Sequence, residues 1–180
     1  MTEGQVCLSR LLIWLESGGP VIYLLKVIGK VGIEFDAFKF RSMKINADEI
    51  LDTNPQLKRA FEKNYKLKDA PCLTRVGRFM RRYSLDEFPQ FLNVLKGQMS
   101  LVGPRMIVKS ELEKCGQWAR KRLSVKPGGI TGFWQVNGRQ NTSYEERVRM
   151  DMFYIDHWSI WMDIIIVKTV WKVLKREGAY

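Results

Sequence analysis

The chain has 180 residues but a single histidine, His157, and only three cysteines. A multi-histidine metal site is therefore impossible, and a Ser-His-Asp triad would have to recruit His157. Acid, base and nucleophile duties fall to carboxylates, and His157 itself reads as a polar residue at a helix end. Cys7, Cys72 and Cys115 are far apart and odd in number. They fit neither a disulfide framework nor a zinc spacing, which points to a reducing compartment. Long apolar runs are also missing: none reaches the ~18 residues of a spanning helix. The N-terminal stretch Cys7–Leu15 is short, is interrupted by Arg10 and lacks signal-peptide flanks. Acidic residues are scarce as well, 19 against 30 basic ones, for a net charge of +11. That excess suits phosphorylated small molecules, anionic lipid headgroups or nucleic acid. No nucleic-acid motif accompanies it, so a nucleic-acid partner is not expected.

What is present supports one core. With 46% hydrophobic residues and no repeat or low-complexity linker, residues 1–180 read as a single domain. The expected class is α/β, mostly helical with a small sheet or hairpin. Gly18-Gly19-Pro20 breaks the first apolar segment, Val21–Leu25 reads as a strand, and Phe38–Ile45 as its partner. Asp48–Asn64 reads as helix interrupted at Pro55. Phe88, Phe91, Leu92 and Leu95 have the spacing of a buried helix face. Ser143 and Glu146 form a capping box that opens a helix to about His157. Ser159 caps a last helix, Ile160–Arg176.

Three segments combine residue types that do chemistry. In Arg81-Arg82-Tyr83-Ser84-Leu85-Asp86-Glu87-Phe88-Pro89, Pro89 places a helix start near Asp86. A carboxylate or a phosphate is favoured among the unpaired N–H groups there. On a helical wheel Asp86 lies opposite the apolar stripe and should avoid the core contact; the competing account is ordinary capping, with Ser84-x-x-Glu87 as the box. In Ser100-Leu101-Val102-Gly103-Pro104-Arg105, Gly103 and Pro104 fix a turn and Arg105 offers a fork of donors matched to phosphate oxygens. In Lys126-Pro127-Gly128-Gly129-Ile130-Thr131-Gly132 and the following Phe133-Trp134-Gln135-Val136-Asn137-Gly138-Arg139, flexible backbone, amides and an arginine could hold a nucleotide. A simple hairpin is the alternative. On the last helix Lys168, Lys172, Lys175 and Arg176 gather on one side with Trp161 and Ile165, as on a helix at a membrane surface, with a solvated face or a protein contact as the alternative. Asp163 lies on the apolar side, where a carboxylate needs a partner or a metal.

Taken in order, several strings resemble the bacterial sugar transferases, or monotopic phosphoglycosyl transferases. They are Lys39-Phe40-Arg41-Ser42-Met43, Thr74-Arg75-Val76-Gly77-Arg78, Ser84 through Gln90, Asn93 through Gly97 with Met99 through Arg105, Thr131-Gly132 with Gln135 through Arg139, and Gly178-Ala179-Tyr180. The resemblance runs from about Gly19 to Tyr180. It implies a UDP-sugar donor, Mg²⁺, and undecaprenyl phosphate as acceptor, at the cytoplasmic face of a bacterial inner membrane in peripheral or monotopic attachment. It implies an Asp-Glu dyad at Asp86 and Glu87, with Asp86 as nucleophile and both as metal ligands. Lys39, Arg81 and Arg105 become phosphate contacts, Thr131, Gln135, Asn137 and Arg139 nucleotide contacts, and Asp163 a supporting carboxylate. Four features depart from the family pattern: most of the N-terminal membrane helix is lacking, Gly128-Gly129 carries an added glycine, Ala70-Pro71-Cys72 replaces Asp-Pro-Arg, and Met106 replaces proline. The rival reading is a non-catalytic, basic membrane-surface or partner-binding remnant of the fold. A homo-oligomer stays open.

Overall fold

The computed structural model of the chain describes residues 11–64, 70–114, 116, 118–125, 127–138 and 142–177. They divide into two compact units. Among the described residues, the first holds residues 11–23 together with Lys39–Phe88; the second holds Leu24–Phe38 and residues 89–177. Helices dominate, with two small two-stranded sheets, which agrees with the expected class.

In the first unit, residues 11–17 are helical (α1). Strand β1 (Ile22–Ile28) begins here and strand β2 (Glu34–Phe40) ends here, and helices α2 (Ala47–Asp52), α3 (Pro55–Asn64) and α4 (Arg75–Arg82) follow. Pro55 does separate two helices, as expected. The second strand stops at Phe40 rather than Ile45, because the chain beyond it turns to meet another segment: Met43 bridges Leu73, and Ser42 O accepts from Thr74 N–H at 3.1 Å. Thr74 has extended backbone, and its hydroxyl accepts from Gly77 N–H at 2.8 Å, a side-chain cap that starts α4. Gly77 is required by space, since a Cβ there would lie 2.0 Å from Ser42 O. Glu16 of α1 accepts from the N–H groups of Arg75 and Val76 at 2.6 and 2.8 Å, satisfying two more donors of that helix end. Ile13, Phe40 and Met80 form one small core; Ala47, Ala70, Cys72 and Leu73 form another.

In the second unit, β1 continues to Ile28 and β2 starts at Glu34. The connection lies at residues 29–33, where Val31 and Gly32 take φ of 61° and 82°. That left-handed pair tightens the turn and lengthens β1 beyond the expected Leu25. Helix α5 (Phe91–Leu95), strand β3 (Ser100–Val102), helices α6 (Lys109–Lys114) and α7 (Trp118–Val125), strand β4 (Gly129–Thr131), and helices α8 (Phe133–Asn137), α9 (Tyr144–Asp156) and α10 (Ile160–Glu177) complete it. β3 and β4 run parallel, with Ser100 opposite Gly129 and Val102 opposite Thr131. The hairpin alternative for residues 126–132 is thereby excluded: parallel strands need a long crossover, and α6 and α7 supply it. The glycines permit close backbone approach there, since a Cβ on Gly132 would fall 2.2 Å from Gly103 O. Val102, Ile107, Val148, Met152, Tyr154, Ile155 and Ile166 form the main core, and Val27, Ala37, Met99 and Met106 a second. The capping box of Ser143 and Glu146 is complete, α9 ends at His157, and Ser159 accepts from Met162 N–H at 3.2 Å.

One expectation fails outright. Phe88, Phe91, Leu92 and Leu95 are exposed, Leu95 at 84%. Apart from Pro89, the buried residues of this stretch are polar, Asp86, Gln90 and Asn93. A 3-10 segment, Leu85–Gln90, precedes the short α5. Its threefold repeat breaks the 3.6-residue phase on which the stripe was read. In α5 Asn93 fixes the phase instead: its Oδ1 accepts from Phe38 N–H at 2.9 Å, and its Nδ2 donates to Asp36 O and Gln98 Oε1, both at 2.8 Å.

Candidate active site

In the first unit the structure brings four predicted residues together. β2 carries Lys39, the last turn of α4 carries Arg81, and the 3-10 segment carries Asp86 and Glu87. Ser84, just before that segment, takes φ 54°, a strained value for a residue other than glycine and not the extended backbone of an N-cap. Lys39 Nζ donates to Glu87 Oε1 at 3.0 Å, and the two side chains are mostly buried. Arg81 Nε donates to Ser42 Oγ at 2.9 Å. Asp86 is 8% exposed, buried rather than turned outward as its wheel position predicts. Burial pushes its carboxyl above the usual carboxylate range, and the charge of Glu87 pushes the same way. Lys39 and then Arg81 oppose the shift. The result is an acidic group at odds with its own charge, flanked by two cations.

A magnesium ion typically takes one or two carboxylates, completing its octahedron with waters and substrate phosphates. The adjacent carboxyls of Asp86 and Glu87 fit that donor set. Among the described residues no three or more His, Cys, Asp or Glu side chains gather as a metal cluster, so such an ion would draw its remaining ligands from substrate and water.

The other predicted contacts fall in the second unit. Arg105 follows the Gly103-Pro104 turn after β3, with its guanidinium 5.2 Å from the centroid of Trp134. Its Nε is buried and has no hydrogen-bond partner among the described residues. Thr131 Oγ1 and Gln135 Oε1 share that condition, while Gln135 Nε2 donates to Ile130 O at 3.0 Å. Buried polar atoms without a partner are costly, so a water or a ligand group meeting them would be stabilising. Asn137 is exposed, and its Nδ2 donates to Phe133 O at 2.8 Å within α8. Arg139 lies outside the described residues. Asp163 has protein partners: its Oδ1 accepts from Tyr154 hydroxyl at 2.6 Å and its Oδ2 from Trp158 Nε1 at 3.1 Å. Burial, then Asp163, drives the Tyr154 hydroxyl upward, so it stays protonated and donates. Trp161 and Ile165 are exposed on α10 beside exposed Lys168; the side chains of Lys172, Lys175 and Arg176 lie outside the described residues.

Sequence reasoning missed a buried ionic pair of pairs. Asp151 and Arg122 meet at 2.7 Å, as do Arg147 and Glu111, and all four are nearly inaccessible. Burial raises the Asp151 carboxyl against the pull of Arg122, and it lowers Arg147. A signal existed: Val148, Asp151, Met152 and Ile155 share one face of α9, so a carboxylate sat in an apolar stripe.

Residues 4–176 match the bacterial sugar transferase family. The chain is 48% identical over 170 residues to the undecaprenyl-phosphate galactose phosphotransferase of Salmonella typhimurium, covering 92% of this chain and 36% of that protein. It is 39% identical over 184 residues to the UDP-glucose:undecaprenyl-phosphate glucose-1-phosphate transferase of Escherichia coli, covering 97% and 37% respectively. To the exopolysaccharide production protein ExoY of Rhizobium meliloti it is 40% identical over 174 residues, covering 94% of this chain and 76% of that one. It thus spans little more than a third of the first two relatives and about three quarters of the third. With nearly its whole length matched, the chain belongs to the bacterial sugar transferase family.

Proposed function

We propose that the chain transfers a sugar-1-phosphate from a UDP-sugar to undecaprenyl phosphate, releasing UMP, as an early membrane step in making an exopolysaccharide, capsule or O-antigen. The observation that carries this reading is the buried Asp86 carboxyl set between Lys39, Arg81 and Glu87. A carboxylate stripped of water and flanked by cations suits attack on an anionic phosphorus centre.

In the first step an Asp86 oxygen bonds to the phosphorus that bears the sugar. The anhydride bond to the uridylate breaks, and UMP leaves with the electron pair. In the second, an oxygen of the polyprenyl phosphate attacks the same phosphorus and the Asp86 carboxylate departs, leaving a sugar diphosphate lipid. Lys39 and Arg81 offset charge on the transferring group. Mg²⁺, held by Glu87 and Asp86, would spread charge over the diphosphate. Arg105 and Thr131 support the nucleotide phosphates in this reading, because each carries a buried donor without a partner among the described residues; Gln135, whose unpaired Oε1 is an acceptor, suits a donor of the base or ribose instead. Asn137 and Arg139 join the nucleotide contacts on resemblance. Asp163 supports through Tyr154 and Trp158 rather than through a ligand. Contact with an anionic membrane at its cytoplasmic face would use α10, where Ile160, Trp161, Ile164 and Ile165 are exposed.

The test is covalent capture. Incubated with UDP-glucose or UDP-galactose and Mg²⁺ without acceptor, the protein gains one hexose phosphate by intact mass, located on the peptide containing Asp86. Asp86→Asn abolishes the adduct while the circular dichroism spectrum is kept. An adduct that survives the substitution removes Asp86 from the nucleophile's role.

A further inference from the structure

We propose that the buried Asp151–Arg122 pair is a positioning device for Arg105, clamping its peptide from both sides so that its guanidinium faces an anionic ligand. This rests on the reading of Arg105 as a phosphate contact.

The geometry closes a triangle around one residue. Asp151, with no accessible surface, accepts from the main-chain N–H of Arg105 at 3.3 Å through both carboxylate oxygens. Arg122 Nη2 pairs with Asp151 Oδ2 at 2.7 Å, and Nη2 also donates to the main-chain carbonyl of Arg105. The residues just before are held equally: Gly103 N–H donates to Thr131 O at 2.9 Å, and Gly129 N–H to Pro104 O at 2.8 Å. Pro104 has no N–H and a fixed φ. The path from Gly103 to the Arg105 carbonyl is thus tied to β4, α7 and α9, and the freedom left lies in the Arg105 side chain. Trp134 takes up part of that freedom, with Arg105 at 5.2 Å from its ring centroid and Arg147 at 6.0 Å.

Charge matching supports the same assignment. Of three arginines gathered here, Arg122 and Arg147 each meet a carboxylate at 2.7 Å. Arg105 meets none among the described residues, and its Nε is buried without a partner. Burying an ion pair rarely stabilises more than apolar residues of the same volume. What the pair does supply here is a fixed peptide beneath a guanidinium that meets no carboxylate among the described residues, and a group placed within about 0.5 Å is what phosphate recognition demands. Asp151 and Arg122 do not themselves touch the ligand; they act through Arg105.

A double-mutant cycle on UDP binding by the full chain, measured by calorimetry, separates this from a merely structural role. Arg105→Ala and Asp151→Asn are each expected to weaken UDP by about tenfold, since misplacement by roughly 1 Å can cost on the order of a hundredfold. In the Arg105→Ala background Asp151→Asn adds no further loss. Additive losses in the cycle, or a single Asp151→Asn that binds UDP like the parent, overturn the positioning role. An Arg105→Ala variant that binds UDP normally overturns instead the phosphate role of Arg105. Should Asp151→Asn not fold, Arg122→Gln serves: it removes the Nη2 that donates to both the Asp151 carboxylate and the Arg105 carbonyl, and the same non-additivity with Arg105→Ala is expected.

Discussion

Asp86 shows what a buried carboxyl costs the fold. Its carboxyl is raised first by burial and then by Glu87, so the folded protein holds its proton more tightly than the unfolded chain does. The sign follows from linkage. The contribution of Asp86 to stability is fully present below its unfolded pKa, near 4, and is lost as pH rises through the raised folded value. Asp86→Asn escapes that loss. The variant should therefore melt above the parent at pH 7–8, and the gap should close as pH falls toward 4. Each 1 kcal/mol of difference moves the midpoint by about 2–4 °C in a chain of this size. Calorimetric scans across that range check it, and a variant that melts below the parent at pH 8 contradicts the assigned burial cost. Such an exchange of stability for reactivity is common at working sites. At this scale the grouping of Asp86, Glu87, Lys39 and Arg81 was legible through the family resemblance of the strings that hold them. Asp151 and Arg122 were not. They lie 29 residues apart on α9 and α7, and their pairing exists only once those helices pack.

At the scale of the element, α5 and the 3-10 segment before it decide which side chains face inward. An apolar spacing of i, i+3, i+4 and i+7 is evidence for a buried face only if one α-helix runs through all four positions. Here two helix types meet at Gln90, and the anchoring of Asn93 to Phe38, Asp36 and Gln98 sets the rotation. Polar anchoring overrides hydrophobic pattern because leaving those main-chain groups unpaired costs about 1–3 kcal/mol each. Two substitutions distinguish the accounts. Leu95→Gln should change unfolding free energy by no more than about 0.5 kcal/mol, as at an ordinary surface position. Asn93→Leu should cost about 2–4 kcal/mol, because the N–H of Phe38 and the carbonyl of Asp36 lose their partner. Urea unfolding measures both, and a large loss at Leu95 would restore the buried stripe. Capped helices were the legible elements: α9 and α10 begin where Ser143 and Ser159 predict, since a cap is a local hydrogen bond that needs no tertiary partner. The parallel pair of β3 and β4 was hidden, since two three-residue strands 29 residues apart leave no local periodicity.

For the whole molecule, charge and exposed apolar surface make separable claims about the membrane. In the proposed membrane contact the net charge of +11 would draw the chain toward anionic lipid, contributing about 1 kcal/mol per basic residue near the surface and falling off within a Debye length of roughly 8–10 Å. The described face of α10 is chiefly apolar, with Ile160, Trp161, Ile164 and Ile165 exposed, Trp161 at 72%, and Lys168 beside them. Full burial of one such side chain is worth about 1.5–3 kcal/mol and is not screened by salt. Two or three of them seated in the headgroup region would outweigh the lysine at physiological ionic strength. Co-sedimentation with phosphatidylglycerol-containing vesicles should therefore fall only partly between 50 mM and 500 mM salt. Trp161→Gln with Ile165→Gln should remove most of the salt-resistant fraction while leaving UDP binding unchanged. If the double variant still sediments in high salt, the apolar anchor lies on another surface. The exposed Leu11, Leu12, Trp14 and Leu15 of α1 are then the residues to replace next, because they are the described apolar group of comparable size on a helix in the other unit.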